Sequence, residues 1–167
     1  MAELAVDPLV AARRLLGCVL VADVPGADEA VAVRLVEVEA YRGPDDPASH
    51  CYRGRTDRNT VMFGPAGHLY VYFVYGMHFC ANVVALTDGQ PGAVLLRAGE
   101  VIDGLDTAWL RRPASRSAAE LARGPARLTS VLGLDRSANG IDLTDPSSPV
   151  RLYAGDPVAD VRTGPRV

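Results

Sequence analysis

RLVEVEAYRGPDDPASHCYRGRTDRNTVMFGPAGHLYVYFVYGMHFCAN, residues 34 to 82, is the stretch around which the chain is organised. Before it, Val31, Val33 and Leu35 alternate with Ala32, Arg34 and Val36, so residues 30 to 41 read as a long strand. Residues 42 to 67 are rich in Gly, Pro, Asp and Arg and read as a long irregular loop. Loops beyond about 12 to 15 residues in a compact domain are usually functional or disordered. LYVYFVYG, 69 to 76, and FCANVVAL, 79 to 86, are aromatic and β-branched strand segments, joined through Gly76-Met77-His78 as a tight hairpin. The stretch holds five of the six tyrosines (Tyr41, Tyr52, Tyr70, Tyr72, Tyr75), all three histidines and the paired acids Glu37 and Glu39. So many polar and aromatic side chains together mark it as the site, with the rest of the chain as its frame.

Working outward, residues 8 to 16 have helical apolar spacing, with Asp7 as N-cap and Gly17 as a stop. Cys18 to Val24 is a strand candidate that turns at Pro25-Gly26 and forms a hairpin with 30 to 41. AVLLRA, 93 to 98, returns as a fifth strand after the Asp88-Gly89 turn. Beyond Arg97 the character changes: VIDGLDTAWLRR, SAAELARG and GPARLTSVLGL read as helices, and VRLYA as a late short strand. No repeat, heptad or linker divides the chain. The expected architecture is α+β, a single domain over residues 1–167 with a largely antiparallel sheet and helices on one side.

Composition bounds the function. The chain has 167 residues, 49% hydrophobic and 22% charged, which suits one globular domain. No apolar run reaches the roughly 18 residues that span a bilayer. The N-terminal segment carries Glu3 and Asp7 and is not read as a secretory signal. Three widely spaced cysteines make no disulfide framework, so a reducing cytoplasm is the expected compartment. All 17 basic residues are arginine, and without lysine no side-chain amine can form a Schiff base. A net charge of −3 argues against coating of nucleic acid but leaves room for a local basic face.

Several residues could carry chemistry. Glu37 and Glu39 lie two apart on a strand, share a face and repel, a common arrangement for acid–base work and equally for a solvated surface. Tyr70 and Tyr72 also share a face. Core packing accounts for most strand tyrosines, but Tyr75 beside Gly76 at a hairpin tip is hard to bury, and such aromatics stack on bases or wedge into a duplex. Arg53, Arg55 and Arg58 are spaced for phosphates, although loop arginines are more often simply solvated. His50-Cys51, His68 and His78-x-Cys80 match no zinc pattern, so no metal is assigned. There is no nucleophile elbow, P-loop or dinucleotide fingerprint, and no cofactor is expected.

VEVEAYRGPDDPASH (36–50), Arg58-Asn59, Met62-Phe63, G-x-LYVYFVYGMHFCANVV (67–84), GAVLLRA (92–98) and ARGPARL (122–128) together closely resemble the alkyladenine (3-methyladenine) DNA glycosylase family. The resemblance runs from about Asp7 to Val167 and is dense over 36 to 98. It implies a monomer with a curved sheet that binds damaged double-stranded DNA, flips an alkylated or deaminated purine out of the stack and hydrolyses its N-glycosidic bond. In the matching E-A-Y motif Glu39 would be the general base. Arg97 and the carbonyl of Val167 would hold the attacking water. Tyr41, His50 and Tyr72 would form the base pocket, with Asn82 at its floor rejecting guanine. Tyr75 would be the wedge. The phosphate contacts would come from Arg53, Arg55 and Arg58, with Arg111, Arg112 and Arg127 as further candidates for the basic face. The family pattern continues past Pro-Arg-Val with an aromatic-rich terminal strand, whereas this sequence closes on Val167. Two other classes stay open on the residues alone: a carbohydrate hydrolase using Glu37 and Glu39, and a non-catalytic nucleic-acid-binding module.

Overall fold

The computed structural model describes residues 3–24, 26 and 28–166. Helix α1, Pro8–Leu15, starts where expected: the Asp7 carboxylate accepts from Leu9 N–H at 2.9 Å, and Pro8 fills a first-turn position that needs no donor. Strands β1 (Val19–Ala22), β2 (Val31–Tyr41), β3 (Leu69–Val74), β4 (His78–Ala85), β5 (Gly92–Asp103) and β6 (Val150–Tyr153) make one sheet in the order β3-β4-β5-β2-β1-β6. Every adjacent pair is antiparallel. Helices α2 (Leu105–Arg111), α3 (Ala118–Leu121) and α4 (Pro125–Leu132) follow the fifth strand. The α+β reading with an antiparallel sheet therefore holds. Of the expected β1–β2 turn, Pro25 lies outside the described residues.

The sheet has two faces with different partners. Leu20, Val33, Leu69, Val71, Ala81, Val83, Val94 and Leu96 point to one side and share a core with Leu15 of α1, Ala108 of α2, Leu121 of α3 and Leu128 of α4. All four helices thus cover one face. On the other side, Tyr70, Val84 and Ala93 pack with Cys51 and Met62 from the 42–68 segment. That segment is not uniformly irregular: it carries two one-turn 3-10 helices, Gly43–Asp45 and Thr60–Phe63.

Several boundaries differ from the sequence reading. Val101–Asp103, expected as the start of a helix, completes β5, because the long β2 offers a ladder partner as far as Ala32. Helix α2 begins only after Gly104, whose left-handed φ of 71° turns the chain against Ala30. SAAELARG yields a single helical turn, Ala118–Leu121. His78 belongs to β4, and the hairpin loop is Tyr75-Gly76-Met77, with Val74 opposite His78.

One irregularity decides where the acids point. Leu35 pairs with Gly99, Glu37 with Ala98 and Val38 with Leu96, so β2 carries an extra residue at Val36 and β5 one at Arg97. Strict alternation would send Glu37 and Glu39 to the helix face with Val33 and Leu35. The bulge reverses the phase: Val38 packs on the helix-side core, and Glu37, Glu39 and Arg97 meet on the opposite face.

Candidate active site

Four strands and one loop bring the site together on the face opposite the α-helices. From β2 come Glu37, Glu39 and Tyr41. From β5 comes Arg97, from β3 Tyr70 and Tyr72, and from β4 Asn82. The Arg97 guanidinium spans both acids. Its Nε donates to Glu37 at 2.9 Å and its Nη1 to Glu39 at 2.6 Å. The repulsion expected between the two carboxylates is thus absorbed by a cation between them. Their environments differ: the Glu37 side chain is 57% exposed and that of Glu39 12%. The second Glu39 oxygen accepts from the Tyr41 hydroxyl at 2.6 Å. Burial first, and then this bond to an anion, push the Tyr41 pKa well above its usual value, so the phenol stays a donor.

Beside the carboxylate lies a small cavity of about 40 Å³, lined by Tyr41, Ala48, His50, Met62, Tyr70, Tyr72 and Asn82. The His50 ring meets Tyr72 edge-on at 4.5 Å between centroids, and its Nδ1 lies 3.0 Å from the Tyr70 hydroxyl. Tyr70 and Tyr72, two apart on β3, stack at 5.5 Å. Burial, reinforced by the nearby Arg58 charge, lowers the His50 pKa below its usual value and keeps the imidazole neutral at pH 7. Asn82 is buried and donates to the carbonyl of Tyr70, its partner across the sheet, at 3.2 Å. Asn59 ties the loop shut by donating to the carbonyls of His50 and Gly54, both at 2.9 Å.

The four expected pocket residues, Tyr41, His50, Tyr72 and Asn82, line one cavity, and Glu39 and Arg97 adjoin it through Tyr41. Ala48, Met62 and Tyr70 line it as well. Tyr70 was signalled by its shared face with Tyr72. Asp46 and Arg166 complete the surroundings: Asp46 pairs with Arg166, which lies over the Tyr41 ring at 4.7 Å. Val167, the expected third water contact, lies outside the described residues.

Tyr75 stands apart at the β3–β4 tip. It is 88% exposed and holds a φ of 52°, a left-handed conformation rare for a bulky residue. Gly76 follows at 69°, so both central residues have the positive φ of a type I′ turn, closed by Met77 N–H to the Val74 carbonyl at 3.3 Å. Met77 is exposed beside it. Arg53, Arg55 and Arg58 are exposed on the loop; Arg55 lies 5.8 Å from the Phe63 ring centre and Arg58 5.4 Å from that of Tyr72. Arg111 and Arg127 instead belong to α2 and α4 on the helix side, and Arg111 donates to the Val131 carbonyl near the end of α4. Among the described residues, no three His, Cys, Asp or Glu side chains group as a metal-holding set.

The pattern that defines the methylpurine-DNA glycosylase (MPG) family matches residues 2–167. The chain belongs to this family. Relatives agree: a Nocardia farcinica protein named "Putative 3-methyladenine DNA glycosylase" is 56% identical over 99% of this chain and 78% of its own length. Proteins of the same name from Streptomyces avermitilis and Mycobacterium tuberculosis are 54% and 51% identical, over 91% and 99% of this chain and 72% and 80% of their own lengths. As an MPG-family member the chain is a DNA glycosylase of base repair, with DNA as its substrate. The carbohydrate-hydrolase and binding-module alternatives find no support. No helix among the described residues is long and apolar enough to cross a membrane.

Proposed function

We propose that this glycosylase hydrolyses the N-glycosidic bond of 3-methyladenine and related purines in duplex DNA, flipped into the Tyr41–His50–Tyr72 cavity, with Glu39 as the general base. The observation that carries the reading is the Glu39 carboxylate, sheltered and held between Arg97 and Tyr41 at the edge of an aromatic cavity. Alkylation at purine N3 or N7 leaves a cationic base that departs readily, so the enzyme needs a base for water more than an acid for the purine. Each carboxylate oxygen keeps a second lone-pair direction beyond its bond to Arg97 or Tyr41, which an attacking water can use. Electron-rich tyrosine faces favour a cationic base, and a neutral His50 adds no opposing charge. A cavity of about 40 Å³ admits water rather than a purine, so its walls part on base entry, Met62 being the most adaptable of them.

Arg97 and the carbonyl of Val167 orient the water, and Asn82 at the pocket floor discriminates against guanine. Tyr75, on its strained tip, fills the gap left by the flipped nucleotide, while Arg53, Arg55 and Arg58 meet phosphates. With no lysine in the chain, the enzyme stops at the abasic site rather than cleaving the strand through a side-chain Schiff base. It acts as a monomer of one domain, in the cytoplasm. The deciding experiment is base release from duplexes carrying 3-methyladenine, 7-methylguanine or hypoxanthine, followed by chromatography of the free base. Lesion-dependent release without strand cleavage is expected. Tight binding to lesion DNA with no free base would overturn the reading.

A further inference from the structure

The Arg166–Asp46 pair takes no part in the scheme above, yet it is built into the same site. Asp46 is 6% exposed and accepts from the backbone N–H of Arg42 at 3.2 Å and of Ala48 at 3.1 Å. Its only ion-pair partner among the described residues is Arg166, which reaches it with both terminal nitrogens, Nη1 at 2.6 Å. Arg166 lies 120 residues further along the chain. The same Nη1 donates to the carbonyl of Ala40 at 3.1 Å, the residue between Glu39 and Tyr41. The guanidinium lies 4.7 Å from the centre of the Tyr41 ring, and its Nε is 4.0 Å from Glu39. Arg166 does not line the cavity. It therefore braces Tyr41 from outside and leaves the cavity wall to a base.

We propose that Arg166, locked by Asp46, is a positioning residue that sets Tyr41 and Glu39 in the orientation required for hydrolysis. The physical case is one of over-determination. A tyrosine at a strand end has two free torsions, and a single hydrogen bond to Glu39 leaves the ring able to swing. A planar guanidinium fixed by a paired carboxylate on one side and a backbone carbonyl on the other offers a flat surface that holds the ring. Glu39 then receives its Tyr41 hydrogen bond from one direction. Asp46 also anchors the backbone of Arg42 and Ala48, so the same pair joins the catalytic strand, the pocket loop and the distal segment. This role rests on the base-release reaction proposed above.

The test is single-turnover base release with saturating enzyme, measured beside affinity for the same lesion duplex and thermal unfolding. Arg166→Gln and Asp46→Asn should each slow the maximal rate about 10- to 100-fold, the scale of a small misplacement of reacting groups. Affinity for lesion DNA should change by less than about threefold, since neither side chain lines the cavity. The double variant should be no slower than the slower single one, as expected for two residues acting as one device. Arg166→Lys keeps the charge but loses the fork, and should remain slow while folding normally. Full speed in Arg166→Lys, or multiplied losses in the double variant, would overturn the proposal. So would a loss of affinity in proportion to rate, which marks a merely structural staple. If the unaltered enzyme releases no base, the reaction itself fails, and this outcome is distinct from active enzyme with indifferent variants.

Discussion

Two acids two residues apart look equivalent until their surroundings are compared. Glu37 is mostly in solvent and is hydrogen-bonded by Arg97, whereas Glu39 is sheltered and bonded by both Arg97 and Tyr41. The asymmetry predicts that Glu39→Gln abolishes base release while lesion binding survives. Glu37→Gln should cost at most about tenfold, through slack in Arg97. Parallel single-turnover assays decide it, and full activity in Glu39→Gln would remove the general base from the mechanism. At the hairpin tip, Tyr75 keeps an unfavourable φ of 52° on a side chain that contributes no core packing. Strain retained without burial points to function. Tyr75→Ser should leave the melting temperature nearly unchanged and weaken lesion-DNA binding by about 1–3 kcal/mol, the usual worth of one aromatic stacked on a base. Fluorescence anisotropy with a lesion duplex measures it.

At the level of elements, the β2–β5 irregularity carries the site. Gly99 lies beside it, where an added Cβ would come within 2.2 Å of the Val33 side chain and 2.7 Å of the Arg34 carbonyl. Gly99→Ala must push the two strands apart where the phase reverses. The expected cost is about 1–3 kcal/mol in urea unfolding, with a loss of base release beyond that of equally destabilising core variants. The α1 start gives a second prediction. Asp7 caps the helix and pairs with Arg42 at 3.1 Å, both side chains well exposed. An exposed pair contributes little. Asp7→Ala should therefore cost about 1 kcal/mol and Asp7→Asn, which keeps the cap, only a few tenths. The strands themselves were legible from alternation and β-branched content. The start of β5's extension was not, because VID reads equally well in a helix until a partner strand is present.

For the whole molecule, His50 and a set of lowered carboxyls, Asp46 among them, couple stability to pH in the same direction. The Arg166 hydrogen bonds hold the Asp46 carboxyl below its ordinary 3.8, and burial holds His50 below its ordinary 6.5. In both cases the unfolded chain binds protons more readily than the folded one. Their stabilisation is complete above each ordinary value and is lost as pH falls through the lowered one. Melting temperature should therefore decline first below about pH 6.5, as His50 resists protonation, and again in the carboxylate range. His50→Gln should remove the upper phase and leave the lower one; melts between pH 3 and 8 that retained the upper phase would assign it elsewhere. The protein carries a net charge of −3 yet takes DNA as its substrate, and the exposed Arg53, Arg55 and Arg58 are the phosphate contacts proposed to offset it.

The sequence by itself determined the strand–loop–hairpin core of the site, because residue type and period-two spacing are local properties of the chain. The motifs from VEVEAY to LLRA were dense enough to name the family and to nominate Glu39, Tyr41, His50, Tyr72, Asn82 and Arg97. Only the tertiary structure decided which way Glu37 and Glu39 face. Their phase depends on an extra residue in each of two paired strands, and a bulge has no signature until the register is known. It also decided that Arg97 bridges the acids and that Arg166 returns to Asp46 and Tyr41 across the fold. Contacts between residues 58 to 126 positions apart depend on chain closure, which local pattern does not encode.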